Sequence, residues 1–491
     1  MRMWTRAPWR RPALAALLAV CGGLAGCGCA CSGSHGTQLG DAMGYPPPVI
    51  DAGAAVGPLR IDLLNRRYFT AGSGAIYLTG SHTWGNFKDR AKVDPPPAFN
   101  YTAFLEFLVA HHHNFFRLWT WEQPHSADDD PSNPLYFTPF PWPRTGPGTA
   151  SDGKPCFDLD QFDDAYFTRL HDRAADAGQR GIYVSIMLFD GWDLANGYNE
   201  ATGGWPMAAG NNINGVASTP AEALSVDNRA VLTRQENYVR RVVAAVGDLD
   251  NVLFEIANET NASAATLAWQ NHMIDFLHDA ESSRQKQHPV GMTAMYPGGQ
   301  DKDLFASSAE WISPTGATVV SDGRKVIIND TDHSYGWQAL QSDGPAAQRA
   351  WAWKNLCLGA STLFMDPYLE PWAGRNSPSG ASVDTRWENL RNALGHTRLY
   401  ADRLNLERAV PLSTRCSTGY CLVEPGHQYL VYQPASGAFT VNVDAATYRF
   451  EWFNPATGRI VQNGTLTTGA DQQHSFEPPF TGDAVLLLLS P

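Results

Sequence analysis

Positive charge is scarce in this chain. Its 491 residues carry 36 Lys and Arg against 49 Asp and Glu, a formal net charge of -13. That balance excludes the basic footprint of a nucleic-acid binder and otherwise speaks only to solubility. Cysteine is scarce too once the N-terminus is set aside. Cys21, Cys27, Cys29 and Cys31 crowd the start, leaving Cys156, Cys357, Cys416 and Cys421 for the body. The body has no CxxC pair, which argues against a structural zinc site, and the chain has no HExxH helix. Beyond the leader no apolar run is long enough to span a bilayer; AVLLLL (484–489) reads as a buried core strand. What is present is core-forming material, 43% hydrophobic residues and 16 Trp, enough for two or three domains and too apolar for disorder.

Residues 1–26 read as a targeting segment. Arg2, Arg6, Arg10 and Arg11 form a basic start, and ALAALLAV (13–20) an apolar stretch too short for a mature membrane helix. LAGC (24–27) then resembles a bacterial lipobox, which implies cleavage before Cys27 and a lipid on its sulfur. An ordinary secretory signal is the alternative. Gly28 follows, with no aspartate to suggest inner-membrane retention. The expected location is the bacterial cell envelope, lipid-anchored at the outer membrane or surface. Residues 27–57, rich in Gly, Ser, Ala and Pro, read as a tether.

From residue 58 apolar strands alternate with amphipathic, helix-length stretches. RYFTAGSGAIYLTG (67–80) reads as a hairpin whose second arm becomes the first strand. AIYLTG, NFFRLW, IYVSIML, NVLFEIA, PVGMTAM, WISP, VII and STLFM are the strand candidates, with the short WISP the weakest. Helix candidates between them include YTAFLEFLVAHH and NRAVLTRQENYVRRVVAAVG. Strand–helix alternation of this kind predicts a (β/α)8 barrel over 58–404, with its chemistry at the C-terminal ends of the strands. The inserts 123–157 and 194–220 are expected to be loops walling a cleft. HHH (111–113) ends a helix, so it belongs to the opposite face, compensating the helix dipole at the surface. Residues 405–491 turn to short strands and NPATG-type turns, an all-β sandwich. In an oxidising compartment Cys416 and Cys421 are expected to form a disulfide, with Cys357 a buried thiol.

Polar and aromatic residues gather at the strand ends. FEIANE (254–259) resembles the fourth strand of clan A glycoside hydrolases, and GSHTWGNF, NFFRLWTWE, NDTDHSYG and LFMDPY extend the likeness to an apiosidase-like, cellulase-like group whose C-terminal module is named for collagen binding. The resemblance implies that Glu259 is a general acid/base and that Asn258 bonds the sugar 2-hydroxyl. A carboxyl in a partly apolar cleft holds its proton and can donate it. The clan places a glutamate nucleophile after strand seven. Here that stretch is NDTDHSYG, with Asp330 and Asp332 in its place. On a regular strand the two aspartates share a face. Asp332 is taken as the nucleophile, with Asp330 or His333 positioning it. An aspartate is shorter than a glutamate, so both retaining and inverting chemistry stay open.

Asp366 and Asp193 compete as second carboxylates. Arg117, a charge inside an apolar strand, needs a partner, and an active-site carboxylate is the natural one. Trp84, Trp121, Trp192, Tyr296, Trp337 and Tyr368 are candidate sugar platforms, and His82 a hydroxyl partner. The expectation is a monomeric hydrolase of poly- or oligosaccharides with no cofactor. The alternatives are a non-catalytic carbohydrate- or matrix-binding lipoprotein, and a metal-assisted hydrolase using Asp330, Asp332 and His333.

Overall fold

A computed structural model describes residues 44–49, 53–126, 134–196, 204–334, 337–369, 383–469 and 472–491. Cys27 lies outside them, as do the side chains of Asp193 and Trp337.

Eight strands form one parallel sheet: β1 (Thr79–His82), β2 (Phe115–Leu118), β3 (Tyr183–Asp190), β4 (Val252–Asn258), β5 (Val290–Thr293), β6 (Trp311–Ser313), β7 (Val326–Asp330) and β8 (Ser361–Met365). Each pairs with the next from β2 to β8, and β8 pairs back onto β1. The bond from Asn114 N to Thr79 O, 3.0 Å, brings β2 beside β1 and closes the ring. This is the expected barrel, including the three-residue β6.

The helices begin where side-chain oxygens satisfy free backbone N–H groups. Asn100, Asp163, Asn228 and Ser263 cap α1 (Tyr101–Ala110), α2 (Asp164–Gln179), α3 (Arg229–Val246) and α4 (Ala264–Glu281). They bury their apolar faces on the barrel's outer wall. α5 (Asp301–Ala306) is short. α6 (Trp337–Cys357) breaks at Gly344–Pro345, and α7 (Glu388–Ala401) completes the ring.

The barrel interior is filled at its N-terminal end by Leu78, Phe115, Tyr183, Leu253, Trp311, Val326 and Leu363. Gly291 makes room for the Trp311 indole, because a Cβ there would sit 1.8 Å from the ring. Leu59 and Phe69 plug this end. They come from a small antiparallel sheet of Arg60–Ile61, Phe69–Thr70 and Ala75–Ile76. The hairpin read from the sequence therefore exists, but its second arm stops at Ile76 and the barrel strand starts afresh at Thr79.

The insert 123–157 is not only loop. Leu135–Thr138 pairs with both Asp89–Ala91 and His125–Ser126, and Arg144–Thr149 pairs with Pro155–Phe157. HHH lies at the N-terminal end as expected, but His113 is not a surface charge. It is buried against Arg391 O at 3.0 Å, and burial lowers its pKa to about 3, so it is neutral.

C-terminal to the barrel, six antiparallel strands run in the order β9 (Val410–Pro411), β10 (Cys421–Glu424), β11 (Gln428–Gln433), β16 (Ala484–Leu489), β13 (Thr447–Asn454) and β14 (Arg459–Thr467). A two-stranded sheet of β12 (Phe439–Val443) and β15 (Gln472–Phe476) packs across one face, enclosing Val431, Val441, Tyr448 and Leu486. The other face packs on the barrel helices through Trp353, Tyr400, Tyr432 and Phe453. The buried Arg349–Asp483 pair, 2.7 Å, joins the two. A TIM barrel followed by a β-sandwich is thus the architecture. Cys416 and Cys421 depart from expectation. They are thiols, Cys421 Sγ donating to Leu412 O at 2.8 Å and Cys416 Sγ lying 3.2 Å from Thr418 Oγ1. Cys357 is a buried thiol, as read.

Candidate active site

The barrel changes character above its apolar plug. Arg117 of β2 stands fully buried in the interior. Its Nε donates to Glu255 Oε2 at 2.7 Å, its Nη2 lies 2.9 Å from Asp330 Oδ2, and its Nη1 is 3.9 Å from Asp332 Oδ2. One guanidinium thus faces three carboxyls, and they do not all ionise. Burial raises Glu255. Asp330 goes the other way: burial opposes its charge, but Arg117 and then His82 hold it well below the usual carboxylate range. Asp330 is therefore the fixed anion.

His82 belongs to the same cluster. Trp119 Nε1–H donates to its Nδ1 at 2.6 Å, so its proton sits on Nε2, which faces Asp330 Oδ2 at 3.5 Å. Burial lowers its pKa and keeps the ring neutral.

β7 ends at Asp330, and Thr331–Ser334 is a helical turn. Asp330 Oδ1 accepts the backbone N–H of Asp332 at 2.9 Å and so starts that turn. Asn329 points away, donating to Asn355 Oδ1 at 2.9 Å. The two aspartates do share the inward side, but the turn replaces the continuing strand and lifts Asp332 towards the cleft.

His333 sits beside them, its Nε2 2.9 Å from Asn258 Oδ1 and its Nδ1 3.2 Å from Ser313 Oγ. Asn258 Oδ1 only accepts, so Nε2 carries the proton and Nδ1 accepts from the serine. Burial lowers the His333 pKa to about 3. This leaves the Asn258 amide donor for another acceptor.

Glu259 follows β4 with φ 41°, a left-handed backbone that ends the strand and turns the side chain over the barrel mouth. One oxygen each of Glu259 and Asp332 and a ring nitrogen of His333 lie within 4.8 Å of one another. Burial, then the charges of Asp332 and Asp330, raise the Glu259 pKa well above its ordinary value. Asp332 is pushed up to about 7 by burial and the Asp330 anion.

Two aromatic walls flank this centre. On one side His82, Trp119, Trp121 and Phe137 stack in succession, with centroids 5.5, 5.1 and 4.8 Å apart. Trp84 packs on that cluster, its carbonyl accepting from Trp121 Nε1 at 2.7 Å. On the other side Trp192 stacks on Tyr296 at 6.1 Å, and Tyr296 is 48% exposed. These two rings stand after β3 and β5, on either side of the strand that carries Glu259.

Two expected site residues lie elsewhere. Asp366 is fully buried, its oxygens taken by Arg391 Nε (2.8 Å) and Nη2 (2.7 Å) of α7. It is a structural ion pair and not a second catalytic carboxylate. Tyr368, at φ 64°, turns its ring onto Phe104 and Phe107 of α1, 5.2 and 4.9 Å away, and serves as core.

Sequence reasoning passed over Glu255, although it sits in FEIANE itself. It also passed over Glu122, whose buried carboxyl oxygen accepts Asp190 N–H at 2.9 Å and whose pKa burial raises to about 8. A glutamate inside an all-apolar strand is the signal that would have found Glu255.

No family model matches the chain, and no curated protein does. Its fold is similar to solved structures. One described as a glycoside hydrolase superposes with a TM-score of 0.56 at 10% identity, over 88% of this chain and 97% of its own. A glycoside hydrolase family 5 structure from Bacteroides vulgatus ATCC 8482 superposes with a TM-score of 0.55 at 11% identity, over 89% and 95%. These likenesses establish the barrel-plus-sandwich fold.

Proposed function

We propose that this chain is a glycoside hydrolase that cleaves poly- or oligosaccharides with retention of configuration. The observation that carries the reading is the approach of Glu259 and Asp332, oxygens within 4.8 Å across one cleft. Retaining enzymes hold their two carboxyls about 5–5.5 Å apart, and inverting ones about 6.5–9.5 Å to admit a water. Facing oxygens this close leave less room than the spacing that admits a water, which supports attack by the carboxylate itself.

In this mechanism Glu259 gives its proton to the glycosidic oxygen as the bond to the anomeric carbon breaks. Asp332 bonds that carbon. Glu259, now ionised, takes a proton from water, which displaces Asp332 and restores both groups. Asn258, its oxygen engaged by His333, offers its amide N–H to the sugar 2-hydroxyl. Arg117, at 3.9 Å, favours the Asp332 anion when the acid limb is passed. Trp192 and Tyr296 supply a flat apolar surface for a sugar face. Membership of the apiosidase-like group rests on the strand-end motifs alone, and a lipid on Cys27 on the lipobox.

The direct test is product stereochemistry on a released oligosaccharide, read by proton NMR before mutarotation. Retention supports the reading, and an inverted first product defeats it.

A further inference from the structure

The barrel end opposite the cleft carries a surface of different chemistry. Between Arg60–Ile61 and Phe69 the chain makes a turn that exposes two adjacent leucines, Leu63 at 84% and Leu64 at 69%. The turn is not slack. Asp62 Oδ1 accepts from Leu64 N at 2.8 Å and Asn65 N at 2.7 Å. Asn65 Nδ2 is tied to Leu406 O and Ala409 O at 2.7 and 2.8 Å, and Asp62 N to Tyr68 O at 3.0 Å. Large apolar side chains held outward by buried hydrogen bonds are unlike scattered surface leucines, which need no explanation.

The surroundings share this character. Exposed Arg60 and Arg66 flank the leucines, and neither forms an ion pair among the described residues. Arg67 Nε donates to Ser321 O at 3.0 Å, which brings the exposed Val320 alongside. Val56, also exposed, crosses the same end, its carbonyl accepting from Tyr183 OH at 2.7 Å. Unpaired arginines around apolar tips stand out on a chain of net charge -13.

We propose that this face docks on an anionic lipid bilayer, with Leu63 and Leu64 entering the headgroup–acyl boundary and Arg60 and Arg66 meeting lipid phosphates. Apolar tips with a basic rim are the chemistry that such an interface selects. The orientation points the cleft away from the membrane, and a lipid on Cys27 would act as the second of two signals. The inference is independent of the hydrolase reading.

The test uses the full chain with Cys21, Cys27, Cys29 and Cys31 changed to Ser, which removes the lipid acceptor. The remaining cysteines are buried. An environment-sensitive fluorophore is attached at Leu64→Cys, and separately at Ile213→Cys in the insert on the cleft side. With vesicles of phosphatidylethanolamine and phosphatidylglycerol, the label at 64 shifts to the blue and the label at 213 does not. Neutral phosphatidylcholine vesicles or high salt weaken the shift. In a second measurement, Leu63→Ser/Leu64→Ser keeps the parent melting temperature and loses about tenfold in vesicle affinity. No shift at 64, equal shifts at both positions, or unchanged affinity of the double variant overturns the proposal.

Discussion

Asp330 accepts the backbone N–H of Asp332 through Oδ1, 2.9 Å away, while its Oδ2 is held by Arg117 at 2.9 Å. This pair divides two chemically identical side chains into two roles. Asp330 is buried, anionic and turned inward. Asp332, two residues further, is lifted to the cleft with its pKa raised to about 7.

Glu259→Gln removes the proposed proton donor and little else. General acid–base catalysis typically contributes about 10²–10⁴-fold. A loss of that size in kcat with an unchanged melting temperature is expected. Full activity in this variant is the contrary result.

The pH profile follows from Asp332. As the proposed nucleophile it must be ionised to attack, so activity is expected to rise with pH through about 7. It falls where Glu259, raised well above its ordinary value by burial and the charges of Asp332 and Asp330, loses its proton. An acid limb at about 4, the ordinary carboxylate value, would contradict the account. Stability moves oppositely for the two aspartates. Between about 4 and 7 folded Asp332 keeps a proton that the unfolded chain releases, so its term weakens as pH rises through that window. Asp330, depressed, stabilises above the unfolded carboxylate range, and that term is lost as pH falls.

Asp366→Ala leaves Arg391 charged and buried beneath α7. Breaking such a pair costs about 3–5 kcal/mol. Chemical denaturation should show that loss, while the pH profile of the folded fraction keeps its acid limb at about 7. A shifted limb would return Asp366 to the reaction.

Trp192→Ala removes one member of the stacked pair with Tyr296. An aromatic stacking contact is worth about 0.5–1.5 kcal/mol beyond area burial, so KM should rise about two- to tenfold with kcat nearly constant. A fall in kcat alone would place the ring nearer the reacting atoms.

Chelation distinguishes the remaining chemistry. Glu259, Asp332 and His333 offer ligand atoms within 4.8 Å of one another, but both ring nitrogens of His333 are engaged, by Asn258 and Ser313. Activity is expected to survive exhaustive EDTA treatment. Loss restored by one divalent ion would favour metal-assisted hydrolysis.

Much of the barrel was legible because its signals are local. Strand, cap and turn residues recur in order, and FEIANE marks a strand end by itself. Arg117 announced a buried partner, yet its nearest one, Glu255, is set by register. Arg117 pairs with Ser185 across to β3, and Met187 pairs with Glu255, which brings two charges from apolar strands to similar height. The turn after β7 was not legible in the sequence, because it depends on Asp330 spending a side-chain oxygen on the Asp332 N–H. Asp366 and Tyr368 looked like site residues because their partners, Arg391 on α7 and Phe104 and Phe107 on α1, are distant in sequence.

The most direct test of the central claim is covalent trapping. Activated fluoroglycosides, offered as a panel, leave a slowly hydrolysed glycosyl ester on a retaining nucleophile, and peptide mass spectrometry locates it. The added mass is expected on Asp332 and is lost in Asp332→Asn. A label on Asp330 or Asp366, or an inverted product with no label, would contradict the claim.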